Sequence, residues 1–137
     1  MARIVLISCV SQKLAHPAVP ARLYVSAWFR HALRYAQSLK PDKIFVLSAK
    51  YGLVAEDDII QPYDETLNRK GRQEIRVWGR MVLEQLRMKV DLDADEFVFL
   101  AGERYRSPLL ASIRKHSIPL EGMRIGKQLQ FLKNAID

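Results

Sequence analysis

Three short apolar runs each end in side chains able to do chemistry. Ile4-Val5-Leu6-Ile7 leads into Ser8 and Cys9, with Lys13 just beyond. Ile44-Phe45-Val46-Leu47 leads into Ser48-Ala49-Lys50-Tyr51-Gly52, and Phe97-Val98-Phe99-Leu100 into Ala101-Gly102-Glu103-Arg104-Tyr105. The thiolate is the nucleophilic form of cysteine, and a nearby amine favours it, so Cys9 beside Lys13 or Lys50 is a candidate nucleophile. The competing reading of Cys9 is a small buried hydrophobe, a common fate for free cysteine. Lys50, held between a strand and Tyr51-Gly52, is a second catalytic candidate, since a partly desolvated lysine loses its proton more readily. Glu103 is the candidate general acid or base, against the plainer reading of an ion pair with Arg104 or Arg106.

The remaining cluster residues read as ligand contacts. Lys13 and Arg104 suit an anionic group, and Ser8 and Ser48 offer hydroxyls. Gly52 and Gly102 let the backbone turn sharply or approach a ligand. Tyr51 and Tyr105, with Tyr24 and Tyr63, offer rings on which a base can stack, although a lone tyrosine more often packs its ring and leaves its hydroxyl in water. No cofactor is specified: Ser48–Leu53 is not a phosphate-binding P-loop, and Gly102–Tyr105 is too short for a dinucleotide fingerprint. We expect no metal site, because His16, His31 and His116 are scattered and a single cysteine builds no zinc cluster. Asp57, Asp58 and Asp64 read as a solvated acidic loop.

These groups meet only if the elements between them bring the strand ends together. Between the first and second runs, residues 25–39 place Phe29, Ala32, Leu33, Ala36 and Leu39 on one helical face, with Ser26 as N-cap. Pro41-Asp42 ends that helix. Residues 10–23 and 54–69 read as long irregular segments, which in compact domains tend to be functional. A helix over roughly 70–88 buries Ile75, Trp78, Val82 and Leu86, and Gly79 inside it marks close packing against a neighbour. Ser107-Pro108 predicts an N-cap and first helical position for a helix ending near His116. Residues 117–120 read as an edge strand, and a last helix over about 124–135 buries Ile125, Leu129, Leu132 and Ile136.

This alternation predicts one α/β domain over residues 1–137, a three-layer sandwich with a mostly parallel sheet of three to four strands flanked by helices. Uninterrupted apolar strands agree, because a parallel sheet is covered on both faces. In such a sheet the carboxyl ends share one side, so the three clusters should share a crevice. The chain has 137 residues, 49% of them hydrophobic and 27% charged, ordinary values for a globular protein. No apolar run is long enough to cross a membrane, the amino terminus enters a strand without signal-peptide features, and one cysteine forms no internal disulfide. A cytoplasmic location is the expectation. The formal net charge of +7 favours polyanionic partners, nucleic acid or a phosphorylated ligand. Oligomeric state is not legible.

The chain resembles a family of small bacterial and phage proteins that share a domain of unknown function. The resemblance rests on Cys9 and Lys13, Leu23-Tyr24-Val25-Ser26-Ala27-Trp28-Phe29, Ser48 to Leu53, and Pro62-Tyr63-Asp64-Glu65-Thr66-Leu67, with Gly102, Tyr105 and Arg124-Ile125-Gly126 also similar. It covers nearly the whole chain. More distantly, Cys-x-x-x-Lys followed by Ser-x-x-Phe is similar to the core motif of archaeosine synthase, which modifies a deazaguanine base in transfer RNA. That motif has serine after its cysteine and proline after its lysine, where this chain has Val10 and Leu14. The resemblance implies a site for a purine-like base or nucleotide. Two functions follow as expectations: an enzyme acting on a nucleobase, nucleotide or nucleic acid (a transferase, lyase or N-glycosidic-bond enzyme), or a non-catalytic module that binds nucleotide or nucleic acid.

Overall fold

The computed structural model describes residues 1–8 and 13–135. In chain order the elements are β1 (Arg3–Ser8), α1 (Pro20–Leu23), α2 (Ala27–Ser38), β2 (Lys43–Ser48), β3 (Gly52–Ala55), a 3-10 turn (Leu67–Arg69), α3 (Arg72–Arg87), β4 (Glu96–Leu100), α4 (Glu103–Leu110), β5 (Lys115–Ser117) and α5 (Ile125–Asn134). The sheet order is β3-β2-β1-β4-β5. All neighbouring pairs are parallel except β2 with β3. β1 is central, with Val5 opposite Ile44 on one side and Val98 on the other.

Alternation of side chains along the strands builds the three layers. Ile4 and Leu6, with Phe45, Leu47, Phe97 and Phe99, pack on Trp78, Val82 and Leu86 of α3 and Leu109 of α4. Val5 and Ile7, with Ile44, Val46, Val98 and Leu100, pack on Phe29, Ala32 and Ala36 of α2 and Leu132 of α5. Both faces are covered, which is why the central strands read as unbroken apolar runs.

Local signals place several helix starts. The Ser26 Oγ accepts a hydrogen bond from the Phe29 N–H at 3.2 Å, capping α2. The Glu74 carboxylate reaches back to the Gly71 N–H at 3.3 Å ahead of α3. The Gly79 expectation holds: a Cβ there would lie 2.8 Å from Pro108 Cβ, so α3 and α4 touch where only glycine fits.

The structure differs from the expectation in several places, among them α1, which forms inside the stretch 10–23 read as irregular. The sheet has five strands, because Gly52–Ala55 doubles back on β2 as an antiparallel edge within the stretch read as irregular from residue 54. α4 begins at Glu103, with Gly102 as its N-cap, and Pro108 lies inside it. Near the end of so short a helix, proline forfeits few backbone hydrogen bonds, and this overrides the Ser-Pro start signal. β5 spans Lys115–Ser117 rather than residues 117–120. Ile125 is 61% exposed instead of buried. Ile136, assigned to the same stripe, lies outside the described residues.

Asp95 fastens the opposite end of the sheet from the strand carboxyl termini. It is 9% exposed. Its carboxylate accepts from Asp91 N–H at 2.9 Å and Ala2 N–H at 2.8 Å. These backbone donors, Asp91 first and then Ala2, hold its pKa below the usual aspartate value, with help from the terminal ammonium and Lys43. A native pKa below the unfolded one, about 3.9, gives stabilisation that is complete above that value and lost as pH falls through the depressed native one. Asp95→Asn is therefore expected to flatten the acid limb of thermal stability below about pH 5; an acid limb identical to wild type would contradict this.

Candidate functional site

From β1 the chain crosses one face of the sheet through α2 to reach β2, whereas from β4 it crosses the other face through α4 to reach β5. The two connections leave adjacent strands in opposite directions. That reversal opens a crevice beyond the carboxyl ends of β1 and β4, the usual place for a ligand in an open α/β sheet. A cleft of about 390 Å³ lies there.

Ser8 and Gly102 join its two strands: the Ser8 Oγ accepts from the Gly102 N–H at 3.1 Å. Glu103 and Arg104, both exposed on the first turn of α4, form one wall. Arg104 Nη1 donates to the Asn68 carbonyl at 3.0 Å, so the 3-10 turn steadies the guanidinium. Trp28 from α2 and Ile125 and Gln128 from α5 form another wall. The Trp28 Nε1–H donates to Gln128 Oε1 at 2.8 Å, and Gln128 Nε2 donates to the Met123 carbonyl at 2.9 Å. The indole is thus held in one orientation across two helices. Ile125 owes its exposure to its place on this wall, where the helix stripe opens onto a cavity.

Tyr105 also borders the cleft but is only 3% exposed. Its hydroxyl accepts from the Leu67 N–H at 3.2 Å, and its ring meets Trp78 edge-on with centroids 5.6 Å apart. Its hydroxyl therefore positions the 3-10 turn that carries Asn68.

The second cluster has a different construction. Ser48 is fully buried, and its Oγ accepts from the N–H groups of Lys50 at 3.2 Å and Tyr51 at 3.0 Å. Its carbonyl accepts from Trp78 Nε1 at 2.8 Å. Gly52 has φ +77°, left-handed backbone that favours glycine. Gln85 braces the same turn, accepting from Leu53 N–H at 2.8 Å and donating to the Tyr51 carbonyl at 3.3 Å. Ser48 and Gly52 thus shape a tight β2–β3 turn. The turn presents Lys50 at the surface with its Nζ 5.4 Å from the Tyr51 ring centroid.

An aromatic chain continues from there. The Tyr51 and Tyr63 rings meet edge-on at 5.8 Å, and the Tyr63 and Tyr24 hydroxyls are 2.6 Å apart. Lys13 Nζ lies 4.4 Å from the Tyr63 ring centroid, a cation–π contact. Tyr24 is 1% exposed and offers no open face.

Of the residues singled out from sequence, the cleft gathers Ser8, Gly102, Glu103, Arg104 and Tyr105. Lys13, Lys50 and Tyr51 belong to the lysine–tyrosine group, and Ser48 and Gly52 to the turn below it. Cys9 lies outside the described residues. Sequence reasoning missed Trp28, Asn68, Ile125 and Gln128, and took Ser26 only as a cap. The one available signal was that Trp28 and Ile125 fall inside family-like motifs, Trp28 as a large apolar residue off the buried stripe. Among the described residues no group of three or more His, Cys, Asp or Glu side chains is placed to hold a metal ion. No helix among them is long and apolar enough to cross a membrane.

Residues 4–134 match the family of unknown function DUF6884, and the chain belongs to that family. It is also similar to the uncharacterized protein YfjM of Bacillus subtilis (strain 168), with 33% identity over 148 aligned positions that take in 100% of this chain and 97% of the relative.

Proposed function

We propose that this family member is an enzyme acting on a nucleobase, whether free or carried in a nucleotide or nucleic acid, at the cleft between β1 and β4. The pinned indole carries the reading. Trp28 is half-buried on the wall of a cleft of about 390 Å³, a volume suited to a ligand of nucleoside scale. An aromatic wall already fixed by Gln128 supports base stacking with little further loss of freedom. Arg104 beside the first turn of α4 suits an anionic group, because its fork keeps donors beyond the one given to Asn68. In this reading Glu103, exposed at the cleft, transfers a proton. Cys9, next in the chain after Ser8, is the reactive thiol. Lys13, Lys50 and Tyr51 contact the ligand beyond the cleft, with Lys50 binding charge.

The second reading, a non-catalytic nucleotide or nucleic-acid module, is favoured by the exposed Lys50 and the net charge of +7. It makes Cys9 dispensable. The two separate by incubating the protein with a defined mixture of nucleobases, nucleosides, nucleotides and transfer RNA and following each component by mass spectrometry. Consumption of a base-containing component by wild type, lost in Cys9→Ala and Glu103→Gln while both variants stay folded, is the expected result. Binding without turnover selects the module. Turnover equal to wild type in both variants would remove the catalytic assignments.

A further inference from the structure

α3 carries Arg72, Arg76 and Arg80, all exposed and spaced four residues apart. Four residues advance a helix by about 6 Å, so the guanidinium groups form a row along one flank. The acids near them are engaged elsewhere: Glu74 pairs with Lys70 at 3.8 Å and Glu84 with Arg87 at 3.0 Å. Among the described residues, none of the three arginines has an ion pair. Like charges at this spacing repel and weaken a helix, so helix stability does not account for them.

Their position on α3 is defined by Gly79, whose face meets Pro108 of α4. At about 100° per residue, Arg72, Arg76 and Arg80 lie roughly 20°, 60° and 100° from Gly79 around the helix, so the row starts beside the α3–α4 groove at its cleft end and turns gradually outward from it. The groove's upper end is the 3-10 turn and the start of α4, where Arg104 is tied to Asn68 and both border the cleft. A cationic track therefore leads into the cleft from outside.

We propose that the base reaching the cleft belongs to a polynucleotide, whose phosphate backbone lies along Arg72, Arg76 and Arg80. The inference rests on the cleft's being a base site, and it specifies the form in which the substrate arrives. Guanidinium forks match phosphate oxygens, and an evenly spaced row of arginines fits backbone contact that positions a strand. Chemistry on a base needs that base out of the stack, so a single strand or an extruded nucleotide is the form that enters.

The test uses the full chain and a labelled single-stranded oligonucleotide, with affinity measured across a salt series, beside an unlabelled mononucleotide followed by thermal shift. The variant is Arg72→Gln/Arg76→Gln/Arg80→Gln. The control Arg22→Gln/Arg34→Gln/Arg114→Gln removes the same charge from other exposed positions. Expected for the α3 variant is at least about tenfold weaker oligonucleotide binding, with a salt slope reduced by roughly 0.7 per lost phosphate contact, or about 2 in all. The control should keep near-wild-type affinity, and mononucleotide shifts should be equal in all three proteins. Equal loss in variant and control, an unchanged salt slope, or binding to anionic vesicles but not to the oligonucleotide would overturn the proposal. Absence of any mononucleotide shift in wild type, with oligonucleotide binding still dependent on α3, would overturn the base-site reading and the substrate route that rests on it.

Discussion

Trp28→Ala is expected to weaken binding of a base-containing ligand by roughly 10- to 100-fold, the range that removing one stacking surface produces. The indole is held by Gln128 at 2.8 Å and stands on the cleft wall, packed against the edge of the core while only half-buried. Stability should therefore fall less than affinity. Trp28→Phe keeps a ring but loses the Gln128 bond, and should bind with intermediate strength. Gln128→Ala should act in the same direction by releasing the indole while leaving it in place. Affinity unchanged in Trp28→Ala, with ligand still bound, would show that the ligand sits elsewhere.

Gly52→Ala should give the largest loss of stability outside the hydrophobic core. At φ +77° a side chain costs about 1–2 kcal/mol. The added Cβ would also lie 2.7 Å from Met81 Cε and would collide with Gln85 Oε1. Displacing Gln85 removes its bonds to Leu53 N–H and the Tyr51 carbonyl. The Met81 tip is exposed and can move aside, so the further cost is the two lost hydrogen bonds, about 1–3 kcal/mol; the total is roughly 2–5 kcal/mol and the expected drop in Tm about 6–20 °C. Adding Gln85→Ala should recover part of the loss by making room. Wild-type stability in Gly52→Ala would mean that the turn relaxes freely, and that Gly52 is available for the ligand-facing role its motif first suggests.

The parallel core and its helices were legible because they depend on short-range patterns. Ile4–Ile7, Ile44–Leu47 and Phe97–Leu100 are unbroken apolar runs, and Ser26 caps α2 with the hydrogen bond its position implies. β3 was not legible. Its turn is shaped by Ser48, Gly52 and Gln85, and Gln85 comes from a helix about thirty residues later. The same limit applied to the cleft. Ser8, Gly102, Glu103 and Arg104 follow strand ends and could be anticipated from the direction of a parallel sheet. Trp28, Asn68, Ile125 and Gln128 come from helix starts and a 3-10 turn whose convergence is a matter of tertiary packing. Lys50 illustrates the converse: it follows a strand end, yet that strand turns back into an antiparallel edge and delivers the amine to the surface beside Tyr51.

On the proposed function, the cleft between β1 and β4 binds a nucleobase. Thermal unfolding of the full chain and of Trp28→Ala, each with a panel of nucleobases including deazapurines, nucleosides and mononucleotides at low salt, tests it most directly. A ligand near 100 times its Kd should stabilise wild type by about 2.7 kcal/mol, and Trp28→Ala should lose most of that shift. No shift from any base-containing ligand, or an equal shift in both proteins, would mean that the cleft is not a nucleobase site.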